Sequence, residues 1–181
     1  MEQQQNPVDS YLSKVIQRLA DAEFGCDWDV SQGGYVFRCV ARRLGSGPKT
    51  KFAGTSYLDT FLLIAELPSV NPDSLKAFSK ECFRYVKKTK RISIPYALPP
   101  DLSYVTPAPV LLVPVAITDG IAPAVSEAVR RKSPANYWTA FQIPVVCDLA
   151  SNTLYHYERR QRWGSALHDL FRETILPLLA P

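Results

Sequence analysis

Two uninterrupted apolar stretches, Phe61 to Ala65 and Val110 to Ile117, constrain this chain more than anything else in it. A strand with one face in water alternates apolar and polar residues, whereas a strand apolar throughout needs cover on both faces. Neither stretch approaches the ~20 residues that a membrane-spanning helix requires. Between them, Asn71-Pro72-Asp73-Ser74 opens a helix that carries Leu75, Phe78, Cys82 and Val86 on one side. Asn caps free amides, Pro suits the first helical position, and Asp73 suits the helix dipole. Strand, helix, strand is the pattern of a parallel crossover. The chain is therefore expected to build a sheet covered by helices.

The remaining elements are read around that centre. Asn6-Pro7 repeats the helix-opening device, and Val8, Leu12, Val15, Ile16 and Leu19 follow at helical spacing. Trp28 to Gln32, Gly33-Gly34 and Tyr35 to Arg43 read as a hairpin, because a primed turn needs positive φ at both central residues. Regular alternation in its second strand places Tyr35, Phe37, Cys39 and Ala41 on one face. A third strand is expected over Thr55 to Leu67. Pro114 makes the strand Val110 to Ile117 difficult, since proline removes a ladder bond, so a bulge or a half-strand at an edge is expected there. A helix is expected over Asp119 to Lys132, with Ala124, Val125, Ala128 and Val129 inward. Phe141 to Cys147 and Thr153 to Arg159 should pair around Ala150-Ser151-Asn152. A last helix runs from Ser165 to Leu179, kinked or ended by Pro177. Residues 1–5 are expected to be disordered, and 91–109, with five prolines, to form an extended loop. The order αβββαβαββα makes one α/β (α+β) domain over residues 1–181, with a mixed sheet of five to six strands and four helices.

Composition excludes some classes of function. With 46% hydrophobic and 21% charged residues, the chain has the apolar content that disordered proteins lack. The four cysteines form no C-x-x-C pair and do not sit near a histidine at zinc spacing, so no metal site is expected. They read as small buried hydrophobes in a reducing, cytoplasmic setting, with no leader segment and no membrane partner. His156 and His168 have no nucleophile elbow to serve, and no phosphate-binding glycine loop occurs, so no cofactor is expected.

The helix, three-strand meander, helix, strand order from Val8 to about Ile117 resembles the core of the restriction-endonuclease-like fold of the PD-D/E-X-K nucleases. That resemblance implies acids at strand ends holding a divalent metal, and a lysine two residues after the second acid to position water. Asp59 and Glu66 are the acids on offer. The motif itself is not matched: Glu66-Leu67-Pro68 puts proline at the lysine position, and no lysine follows Asp27 and Asp29 at the right spacing. Seven residues apart on a regular strand, Asp59 and Glu66 point to opposite faces.

Three basic clusters offer contacts to nucleic acid or another anion. They are Arg84, Lys87, Lys88, Lys90 and Arg91; Arg130, Arg131 and Lys132; and Arg159, Arg160 and Arg162. The first two sit at helix C-termini, where the dipole alone favours cations. A protein-interaction face is expected from Trp138, Tyr155, Tyr157 and Trp163 with Arg159 and Arg160 at its rim, because aromatics and Arg favour interfaces. The leading expectation is a non-enzymatic protein-interaction or accessory module that binds a partner or itself. The alternative is a nuclease-like or nucleic-acid-binding domain using the basic clusters.

Overall fold

The computed structural model describes residues 6–45, 58–90, 109–137, 140–159 and 164–181. The expectations for residues 1–5, for the start of the third strand at 55–57 and for the proline-rich segment 91–108 lie outside them.

Both Asn-Pro devices open helices. The Asn6 side chain accepts the Val8 amide at 3.1 Å and starts α1, Pro7–Asp21. The Asn71 side chain accepts the amides of Asp73 and Ser74 at 3.0 and 2.9 Å and starts α2, Pro72–Lys90. The Gly33-Gly34 turn, with φ of 58° and 83°, joins β1 (Gly25–Gln32) to β2 (Tyr35–Arg43). Strand β3 (Asp59–Glu66) pairs antiparallel with β2 and parallel with β4 (Val110–Thr118). Helix α2 makes the crossover between β3 and β4, as the two apolar runs require.

Beyond β4 lie α3 (Pro123–Arg131) and four short strands: β5 (Ala135–Tyr137), β6 (Ala140–Gln142), β7 (Val145–Asp148) and β8 (Thr153–Tyr155). Strands β6 and β7 are successive segments along one side of β4; β5 flanks β6 and β8 flanks β7. The eight segments therefore occupy six positions across one mixed sheet. Helix α4 (Ser165–Leu170) continues through a wide π turn, Phe171–Ile175, into a tight 3₁₀ turn, Leu176–Leu179. Pro177 lacks an N–H and its ring crowds the preceding turn, which an unbroken α-helix could not accommodate.

Two apolar cores sandwich the sheet. On one face α1 and α4 pack on Leu62, Ile64, Leu111, Val113, Val115 and Ile117. On the other, α2 and α3 pack on Phe61, Leu63, Ala65, Val110, Leu112 and Ala116. All nine residues of β4 are buried, which is why that segment reads apolar without alternation.

Four local expectations are corrected. Pro114 causes neither a bulge nor an edge, because β4 pairs with β3 without interruption from Val110 to Ile117. The break falls instead in its other neighbour, at Ile143-Pro144 between β6 and β7. The Ile143 amide donates to the Leu112 carbonyl at 2.9 Å, so residue 114 faces the same side two residues on, level with Pro144. Pro114 therefore lacks its donor opposite Ile143, where the neighbouring strand is already broken. Secondly, β2 does not alternate regularly. Its register against β3 shifts between Phe37 and Cys39, so Phe37 joins the α2 core while Cys39 and Ala41 join the α1 core. Thirdly, β8 stops at Tyr155, and His156 and Tyr157 are both buried rather than on opposite faces. Finally, α3 begins at Pro123, which leaves Ala124 exposed and only Val129 fully inward.

Candidate functional site

The structure keeps the two acids of the nuclease-like expectation apart. Asp59 begins β3 and Glu66 ends it, about 23 Å away at strand rise. Asp59 lies on the α2 side of the sheet, buried, and accepts the Gly45 amide at 2.8 Å. Glu66 is exposed and lines a shallow hollow with Asp29, Tyr35 and Arg38, with no lysine among the described residues there. Asp27 and Asp29 are engaged by arginines of β2, Arg42 at 3.3 Å and Arg38 at 3.4 Å. Among the described residues no three His, Cys, Asp or Glu side chains gather as a metal would need.

The basic residues behave differently. Lys76, Lys80, Arg84 and Lys87 follow one another along α2 at steps of four, four and three residues. That spacing puts them on one helix face, along about 17 Å. They form one wall of a 620 Å³ groove, and Lys132, just past the end of α3, stands across from them. Among the described residues no carboxylate lines this groove. The nearest acid on the helix, Glu81, is largely buried and pairs with Arg84. The floor is apolar, with Leu75 and Val129 buried at its base and Phe83 and Pro144 half-buried above them. Beneath it the buried Gln142 amide donates to the Ser79 carbonyl at 2.6 Å, tying β6 to α2 and fixing the groove's width.

Sequence reasoning found Arg84, Lys87 and Lys132 but assigned them to separate helix ends. It missed Lys76 and Lys80. The signal was present in their spacing from Arg84, a run of cations at helical period on the side away from Phe78 and Cys82. The other basic candidates are used elsewhere. Arg130 pairs with Glu158 at 3.1 Å and lies 5.1 Å over the Tyr155 ring; Arg131 pairs with Glu127 one turn back. Lys88 is exposed outside the groove. The Lys90 side chain and Arg91 lie outside the described residues.

The two described aromatic candidates, Tyr155 and Tyr157, are packed against neighbouring side chains. Tyr157 is buried edge-on against His168, with ring centroids 5.6 Å apart. Tyr155 is half-buried beneath Arg130, and Arg159 is exposed. Trp138, Arg160, Arg162 and Trp163 lie outside the described residues. His156 Nδ1 and His168 Nε2 both reach the Tyr157 carbonyl, at 3.0 and 3.2 Å. Both rings are buried, so they act as satisfied core groups. Burial lowers the His156 pKa, and Arg172 and His168 add to that against the opposing pull of the carbonyl and Glu158.

Burial pushes the thiols of Cys39 and Cys82 up and that of Cys147 to about 11, so none is a ready thiolate. All four cysteines are free. No helix among the described residues is long and apolar enough to cross a membrane.

What the groove offers is a row of cations, of which Arg84 is paired with Glu81, above an apolar floor. Comparison with family models, with curated proteins and with solved structures finds no match for the chain.

Proposed function

We propose that this chain is a non-enzymatic, cytoplasmic binding module whose working face is the basic groove between α2 and the α3–β5–β6 edge. One observation carries the reading: cations from two distant parts of the sequence converge on a single groove with no carboxylate among the described residues of its lining. Isolated cations at helix ends need no ligand, but a row that shares one concavity repels itself until an anion enters. The dispersal of Asp59 and Glu66 supports binding over hydrolysis. The nuclease-like resemblance rests on the element order α1–β1–β2–β3–α2–β4 and brings no catalytic residues with it.

Retention on a polyanion resin tests the groove. The full chain should be held at low salt and released as salt rises, because each contact displaces counterions. The charge-reversed variant Lys80→Glu/Lys132→Glu should elute at clearly lower salt with an unchanged circular dichroism spectrum. Lys88→Glu, exposed but outside the groove, should elute close to the parent. Lys88→Glu changes the net charge by half as much as the double variant, so a shift half as large or more would show that only net charge matters and would sink the proposal.

A further inference from the structure

We infer that the occupant of this groove is an acidic, amphipathic segment of a partner protein, with apolar side chains on one face and carboxylates flanking them. The inference rests on the groove being the working face.

The lining divides into a charged rim and an apolar floor. The cations stand at the rim: Lys76, Lys80, Arg84, Lys87 and Lys132 are all exposed. The floor is apolar, made by Phe83 and Pro144 over the buried Leu75 and Val129, and Ala135 of β5 lies open beside it. Lysine stems are themselves apolar and extend that floor up the walls, leaving the charge at the tip. A ligand that fills this shape needs apolar groups at its centre and negative charge at its edges.

A nucleic-acid duplex has the opposite layout. It presents phosphates on a convex outer surface, which would meet the rim and leave the floor unfilled. A single strand would need a series of aromatic platforms for successive bases, and among the described residues Phe83 is the one aromatic lining the groove. A peptide meets both requirements at once, in the manner of a helix or strand laid into a groove. The cation row spans about 17 Å, the length of roughly three helical turns or five extended residues. Carboxylates at helical spacing on such a segment would follow the row on α2, while Lys132 would engage its other flank.

The test is fluorescence anisotropy of the full chain with four labelled probes. They are a short amphipathic peptide of Leu, Phe and Glu patterned for a helix, an oligoglutamate of equal charge, a single-stranded oligonucleotide and a short duplex. The patterned peptide should bind at least about ten-fold tighter than the oligoglutamate, since only it fills the floor. It should weaken about ten-fold or more on Lys80→Glu/Lys132→Glu, which acts on the rim. Ala135→Glu, which places an acid beside the floor at an exposed position, should weaken it without touching the core. Oligoglutamate or an oligonucleotide binding as tightly as the peptide overturns this inference and leaves the groove reading standing. Binding of no probe overturns both. Sedimentation velocity supplies the remaining outcome: self-association abolished by Lys80→Glu/Lys132→Glu would mean that a second copy fills the groove, which also overturns the partner assignment.

Discussion

Phe78 seats α2, the helix that carries the groove wall, onto the sheet. Its ring is fully buried, lies edge-on to Tyr35 with centroids 5.3 Å apart and packs on Phe37 at 6.0 Å. Phe78→Ala removes the ring and leaves a cavity, a change that costs about 3–5 kcal/mol in well-packed cores. Tyr35 is half-exposed and can relax inward, whereas Phe37 on β2 cannot, so about 4 kcal/mol is expected. For a chain of 181 residues that corresponds to a melting point lower by about 8–16 °C. Total stabilities of about 5–15 kcal/mol leave such a variant folded in most cases. Phe78→Leu keeps much of the volume and should lose less than about 1.5 kcal/mol. Urea unfolding measures both, with unchanged m-values showing that the compared states are the same. Because Leu75, Cys82 and Val86 also hold α2, folded Phe78→Ala should retain polyanion binding in the cold. A loss below about 1.5 kcal/mol for Phe78→Ala at unchanged m-value would refute the packing argument.

Two further outcomes follow from particular geometries. Gly164 has φ of 73°, and a Cβ there would stand 2.8 Å from the Phe141 ring, whereas Gly34 has φ of 83° with nothing nearby. Gly164→Ala should therefore cost about 1–3 kcal/mol and clearly more than Gly34→Ala in thermal unfolding; equal costs would mean that the contact with Phe141 is relieved freely. His156 is held neutral by burial, with its pKa below the ordinary 6.5. Below pH 6.5 the unfolded chain gains a proton that the folded chain does not take until lower pH. Stability should therefore fall as pH drops through that value, and the fall should level off below the folded pKa. His156→Asn should flatten that slope in urea midpoints; an unchanged slope would assign it to other groups.

Much of the fold was legible because it is written in local periodicity. The apolar run Val110 to Ile117 reports burial on both faces, and Asn-Pro openings report helix starts whatever the chain packs against. The first three strands, the parallel crossover and all four helices follow from such patterns. What failed to show was whatever depends on a neighbour. The shift in β2 at Arg38 exists only against β3, so strict alternation misplaced Cys39 and Ala41. Pro114 looked costly in isolation and is tolerated because Pro144 breaks the adjacent strand at the same level. Tyr157 looked like surface and is core, since β8 ends before it.

The candidate site divides in the same way. Lys76, Lys80, Arg84 and Lys87 share a helix face by spacing alone, a fact of 3.6-residue periodicity that needs no partner. That Lys132 stands opposite them, and that Leu75, Val129 and Pro144 lie between, depends on how β5 and β6 pack beside α2. The sequence by itself determined which side chains could face one way. Only the tertiary structure decided which of them meet, because the distance between residues far apart in the chain is set by sheet pairing and core packing, which no local pattern records.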